Sequence, residues 1–233
     1  MRTAAEFREI AREVLRGKWK IAVIAGLVAS LLGGISGSGP EVKLNIDASH
    51  ANVSFEYAGQ TIISTSEGVN TAFITGSSLY IALAAVYFIL GSIIETGYAR
   101  FNLDLNYGYE PTINKLFDYI SNWRTTSMVR LLRSLYILLW SLLFIIPGII
   151  AGYRYAMTSY ILAEHPDMRA GDAISYSKEM MKGNKWRLFC LHCSFIGWGI
   201  LCLFTFGIGN LWLLPYKQAA EAAFYREISE KRW

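Results

Sequence analysis

Apolar residues in this chain of 233 are gathered into long blocks, without the 2.0 or 3.6 rhythm of a soluble domain. Residues 20–35 are almost free of charge. Residues 79–98 carry one acid, Glu95; 134–162 carry one base, Arg154; and 188–216 carry no formal charge, only His192. A bilayer core about 30 Å thick takes roughly 20 apolar helical residues to cross. In lipid the backbone must satisfy its own hydrogen bonds, so the pattern predicts helices. The expected fold is an all-α polytopic integral membrane protein.

The last two blocks are long enough to be read either as single tilted spans or as hairpins. Charge favours hairpins. Basic loops stay cytoplasmic, and the segment before the first block holds Arg2, Arg8, Arg12, Arg16, Lys18 and Lys20. The connection over 36–78 holds only Lys43 against Glu41, Asp47, Glu56 and Glu67, so it is expected outside. Arg100, Lys115 and Arg124 mark the next connection as inside. So do Arg169, Lys178, Lys182, Lys185 and Arg187 for the one after it, and Lys217, Arg226, Lys231 and Arg232 for the tail. Three helical hairpins, about six transmembrane helices, keep every basic segment on one side. Pro147-Gly148 and Gly207-Ile208-Gly209-Asn210 supply breaks near the middle of the two long blocks. Both termini are then cytoplasmic. A basic start before an apolar run also raises a signal peptide, but the charged lead is long for one and more apolar blocks follow.

The hairpins read as an internal repeat. An amphipathic stretch, then Trp and a base, precedes the first expected span at Trp19-Lys20, the third at Trp123-Arg124 and the fifth at Trp186-Arg187. Trp123 stands as far before Tyr153 as Trp186 before Tyr216, 30 positions in each case. The division expected is 1–20 as a cytoplasmic amphipathic helix, 21–98 as the first hairpin with an insertion at 36–78, 99–163 as the second repeat, and 164–233 as the third with the tail. Trp19, Trp123 and Trp186 are the expected interface anchors. Within the insertion, Val42, Leu44 and Ile46 alternate with polar residues, as do Val53, Phe55 and Tyr57, before Ala58-Gly59-Gln60 and Thr61-Ile62-Ile63. That predicts a small β-hairpin or three short strands outside the membrane.

Charge inside apolar blocks is the remaining chemical signal. Glu95, Arg154, Lys217 and Glu221 are the candidate polar membrane site. They meet in a centre between repeats, or the long bases snorkel to the cytoplasmic interface, which is the favoured reading for Arg154. Cys190, His192 and Cys193 lack the second pair a zinc site needs, so no metal or cofactor is expected. His165, ahead of Pro166, reads as a helix end. No HExxH, GxSxG, P-loop or GxGxxG setting is present, so no catalytic residue is assigned and an enzyme is not expected. The net charge of +4 shows no basic run with interleaved aromatics, which argues against nucleic acid.

The strings FIIPGIIAGYRY at 144–155, ILAEHP at 161–166, KGNKW at 182–186, and Pro215-Tyr216 with AFYRE at 223–227 resemble a family of bacterial membrane proteins, the domain of unknown function 975. The resemblance covers nearly the whole chain, weakest over 36–78. It implies a multi-pass protein of the bacterial plasma membrane and no particular activity. The expected role is a non-catalytic scaffold or accessory protein whose partners are lipids, other membrane proteins or itself. The alternative is a transporter or binder of a small solute or lipid, with a polar site near Arg154.

Overall fold

A computed structural model describes residues 2–34, 41–46, 51–57, 60–65, 71–205 and 207–230. Ten helices and one small sheet follow in order. They are α1 (Ala4–Leu15), α2 (Trp19–Leu31), β1 (Glu41–Ile46), β2 (Ala51–Tyr57), β3 (Gln60–Thr65), α3 (Thr71–Tyr107), α4 (Trp123–Leu143), α5 (Ile145–Arg154), α6 (Thr158–Glu164), α7 (Ala170–Met180), α8 (Lys185–Cys193), α9 (Ile196–Phe204) and α10 (Asn210–Glu230). Two 3₁₀ turns, Ile113–Leu116 and Asp118–Ile120, stand between α3 and α4.

The sheet is antiparallel in the order β1-β2-β3. Its register sets Val42 opposite Phe55 and Leu44 opposite Val53, with a bulge at Phe55/Glu56. Three strands therefore form where alternation predicted them, though Ala58 and Gly59 lie outside the described residues. The insertion is shorter than expected, because α3 already begins at Thr71. The helix also runs past the expected boundary at 98–99 to Tyr107. It can do so because its polar positions find partners: Asn106 Nδ2 donates to Ala219 O at 3.2 Å, and Asp104 lies between Arg100 and Lys115, both at 3.0 Å.

The paired helices of the second and third hairpins turn sharply. Phe144 is fully extended (φ −161°, ψ 151°) between α4 and α5. The break thus comes at Phe144, and Pro147 sits in the first turn of the next helix, where its missing N–H is tolerated. The third hairpin turns at Gly207, whose φ of +83° favours glycine. Both hairpins close at a glycine. A methyl on Gly148 would lie 2.9 Å from Ser141 Cα, and one on Gly209 2.7 Å from Cys202 Sγ.

The long apolar blocks are not continuous spans. Thr158 Oγ1 donates to Tyr155 O at 2.8 Å where α5 gives way to α6, and Ser194 Oγ to Leu191 O at 2.7 Å where α8 gives way to α9. Hydroxyls that bind a carbonyl a turn back commonly bend or end helices. Among the described residues one helix, Ala82–Tyr107 within α3, is long and apolar enough to cross a membrane; Trp19–Leu31 is a shorter apolar helix.

The amphipathic lead-ins share local structure. α1 is followed by Gly17 at φ +79° and then α2; α7 is followed by Gly183 at φ +80° and then α8. The middle lead-in differs, forming 3₁₀ turns instead of a helix. Each lead-in packs on the outgoing helix of the hairpin before it. The 3₁₀ turns lie on α3, and α7 lies on α6 and α4. The first, α1, closes the ring by lying on α10. Its buried face, Phe7, Ala11 and Leu15, is therefore spent inside the protein, with Phe7 edge-on to Phe224 at 5.4 Å, and not against lipid.

These contacts create two regions. At the base, α1, α6, α7 and the ends of α3 and α10 enclose Phe7, Phe101, Leu103, Ile161, Phe224 and Tyr225, all 1% exposed or less. At the tips, Leu83, Val86, Leu138, Trp140, Leu142, Phe144, Ile146, Trp198, Phe204 and Trp212 are exposed.

Candidate functional site

Between the hairpins lies a cavity of about 1250 Å³. Its walls toward the tips are mostly apolar, with Leu27 on α2, Ile137 and Leu138 on α4, and Leu211 and Leu214 on α10, interrupted by Ser30, Ser141 and Asn210. Its floor is charged. Glu95 from α3, Arg130 and Arg133 from α4, and Lys217 and Glu221 from α10 all line it. Hydroxyls from Tyr98, Ser159 and Tyr160 stand among them.

The floor lies where the tip region meets the base. Glu95 follows exposed Leu83, Val86 and Leu90 along α3; Arg130 and Arg133 precede exposed Leu135, Leu138 and Leu139 on α4; Lys217 follows exposed Leu211 and Trp212 on α10.

Glu95 accepts from Arg133 Nη2 at 2.7 Å and from Ser159 Oγ at 2.7 Å, while Arg133 Nη1 also donates to Ser159 Oγ at 3.1 Å. The three side chains bind α3, α4 and α6 into one triangle. Arg130 stands one turn before Arg133 on the same face, its guanidinium 5.2 Å over the ring of Phe88. Its Nη1 is buried and has no hydrogen-bond partner among the described residues. On the opposite wall Glu221 Oε1 lies 2.9 Å from His192 Nε2 and 4.0 Å from Lys217 Nζ, and Tyr153 OH lies 3.3 Å from His192 Nδ1.

Three of the four residues expected as a polar membrane site, Glu95, Lys217 and Glu221, thus line one cavity, and Arg154 does not. Arg154 ends α5 with its side chain half-buried and without an ion pair among the described residues; its carbonyl accepts from Ser177 Oγ at 3.2 Å. The base that meets Glu95 is Arg133. Arg130 and Arg133 precede the apolar block at Ser134 and so were not among the charges inside apolar blocks. Their i, i+3 spacing immediately before that block was the available signal. His192 is engaged with Glu221 and Tyr153, and Cys190, Cys193 and Cys202 are free thiols.

The Trp anchors differ among themselves. Trp186 is 71% exposed, stacked on Phe189 at 5.1 Å, and Trp123 is 40% exposed with Arg124 over it at 5.5 Å. Trp19 packs against the core, 6.3 Å from the ring of Tyr216.

Residues 142–232 match the family described as "Protein of unknown function (DUF975)". Several residues of the strings quoted above stitch the base together. Tyr225 OH donates to Glu164 Oε2 at 2.7 Å, Arg226 Nη1 to Asn106 O at 2.8 Å, and Arg187 Nη2 to Glu227 Oε1 at 3.0 Å. No curated protein and no solved structure matches the chain.

Proposed function

We propose that the chain is a multi-pass protein of the bacterial plasma membrane that binds a small solute or lipid in its central cavity without transforming it. In this reading three repeated hairpins enter the bilayer from a basic cytoplasmic base. The observation that carries it is the coincidence of two features. Among the described residues all three hairpins expose mostly apolar side chains toward their tips, and the cavity between them ends on a charged floor at the level where that apolar surface stops. A soluble protein rarely exposes so continuous an apolar surface. Sites that receive a ligand combine apolar walls with a few convergent polar groups, as here. The shared lead-in geometry at Gly17 and Gly183 supports the repeat. The expected non-catalytic scaffold or accessory role is the second reading; the closed ring at the base, a preformed platform, favours it.

Reporter fusions test the membrane placement. A fusion after Asp167 is expected to read as cytoplasmic and one within 47–67 as external, and an external signal after Asp167 would overturn the hairpin arrangement. For the binding reading, wild type and Leu138→Trp are compared in detergent with a panel of lipids and small anions. Leu138 lines the cavity and is 57% exposed. A saturable thermal stabilisation that the Trp variant loses is expected; a complete lack of stabilisation favours the scaffold.

A further inference from the structure

We propose that the cavity takes an amphiphile whose head group is a singly charged oxyanion, held by Arg130, with its acyl chain running between the hairpin tips. This rests on the binding reading above and specifies its ligand.

Charge balance on the floor comes first. Three cations, Arg130, Arg133 and Lys217, face two carboxylates, Glu95 and Glu221. Arg133 is committed to Glu95 at 2.7 Å, and Lys217 stands 4.0 Å from Glu221, which also meets His192 at 2.9 Å. One cation is left in excess, and geometry identifies it. Arg130 has a buried Nη1 with no hydrogen-bond partner among the described residues; its guanidinium lies over the face of Phe88 and within electrostatic reach of Glu95, whose hydrogen bonds go to Arg133 and Ser159 instead. A buried donor left unpaired costs roughly 1–3 kcal/mol, more when charged. One oxyanion on Arg130 satisfies the donor and brings the floor to neutrality. A doubly charged group would leave a net negative charge beside Glu95.

The walls then decide what carries the anion. Above Arg130 the lining is mostly apolar, with Ile137 and Leu138 on one side and Leu211, Leu214 and Leu27 across from it, set among Ser30, Ser134, Ser141 and Asn210. A free inorganic anion would leave this apolar volume unfilled. At about 1250 Å³ the cavity exceeds the roughly 300–1,000 Å³ usual for drug-sized ligands, which suits a chain-bearing molecule. The floor lies at the end of the exposed apolar zone, so a head group seated there has its chain directed into the tip region. A phosphodiester lipid and a fatty-acid carboxylate share this chemistry.

The test titrates the purified full chain in neutral detergent with phosphatidylglycerol, phosphatidylcholine, oleate and inorganic phosphate. Thermal melting and native mass spectrometry report affinity and stoichiometry. One molecule of phosphatidylglycerol, of oleate or of either is expected to bind saturably, and which of them binds assigns the head group as phosphodiester or carboxylate. Phosphatidylcholine should bind roughly tenfold or more weakly, because its ammonium duplicates the charge of Arg130. Arg130→Gln should weaken the anionic amphiphile by roughly tenfold or more, while Arg130→Lys retains part of the binding. If Arg130→Gln does not fold, Lys217→Gln, at a side chain 42% exposed, carries the same expectation with a smaller loss. Equal affinity for phosphatidylcholine and phosphatidylglycerol, unchanged in the Gln variant, overturns the head-group assignment and leaves the cavity reading intact. Inorganic phosphate binding as tightly as the lipids overturns the amphiphile. Lipid binding that is indifferent to both Arg130→Gln and Leu138→Trp places the lipid outside the cavity and overturns the binding reading as well.

Discussion

One hairpin carries both Phe204, 78% exposed, and Phe224, 0% exposed. The same side chain sits on the bare tip in one case and in the packed base in the other. Along α10 the change falls between Trp212, 51% exposed, and Tyr216, 8% exposed. Along α3 it falls between Leu90, 41% exposed, and Ile93, 4% exposed. Among the described residues the tips are largely apolar, with isolated polar side chains such as Ser141, Thr205 and Asn210. The base is mixed, and many of its polar groups have specific partners: Asn106 with Ala219 O, Tyr119 with Ala163 O, Glu164 with Tyr107 and Tyr225, Glu227 with Arg187. In the tip region apolar surface faces outward and specifies little about its neighbours. In the base many partners are specified atom by atom.

The largest effect that can break this comparison comes from making one substitution in both regions. Phe224→Ala should lower stability by about 3–5 kcal/mol, the range for a large aromatic removed from a core. Phe204→Ala should change it by less than about 0.5 kcal/mol in detergent. Denaturant melts of both variants in the same micelles are the check. Equal losses would mean that the tips are a second packed core, covered by something other than detergent.

The polar floor between the regions offers the next effect. Arg133→Leu strands Glu95, 14% exposed, and should lower stability by about 3 kcal/mol. The double variant Arg133→Leu with Glu95→Leu should recover part of that loss, since the stranded charge goes too. Arg154→Leu should be neutral to within about 0.5 kcal/mol. Thermal melts over this series discriminate between the two arginines. Rescue of an Arg154→Leu defect by Glu95→Leu would restore the pairing that the geometry rejects.

How much of this was legible follows from the same division. Blocks of apolar residues, the helical class, the three short strands and the break at Gly207 were all readable, because each depends on local composition or local backbone preference. Glu95, Lys217 and Glu221 were readable as charges in apolar surroundings. The base was not. Whether α1 lies on lipid or on Phe224 depends on a contact between residues near opposite ends of the chain, and an amphipathic pattern fits both. Arg133 was hidden for a related reason. A base at the edge of an apolar block has the same pattern whether it faces water or Glu95. The division of the fourth and fifth expected spans turns on Thr158 and Ser194, single hydroxyls whose partners only the folded backbone reveals.

The smallest effect concerns pH and separates the regions without removing a contact. Tyr119 donates to Ala163 O at 2.6 Å, and burial pushes its phenol up to about 12. Tyr225 donates to Glu164 at 2.7 Å, and burial, followed by the neighbouring Glu164 carboxylate, pushes its phenol up as well. Both groups hold their proton more tightly folded than unfolded, where a tyrosine titrates near ~10. The stability they contribute is therefore fully present below about pH 10 and is lost as pH rises through 10 toward about 12. The base should loosen over that window. Tyr119→Phe and Tyr225→Phe should each cost about 1 kcal/mol at pH 8, from the lost hydrogen bond. Each should then lose less than wild type does between pH 8 and pH 11, because one titrating phenol is gone. Phe204→Ala, in the tip region, should keep the wild-type pH slope. Melting followed by circular dichroism at pH 8, 10 and 11 for the four proteins reads all of these. A slope identical in wild type and both tyrosine variants would show that these buried phenols do not couple the base to pH.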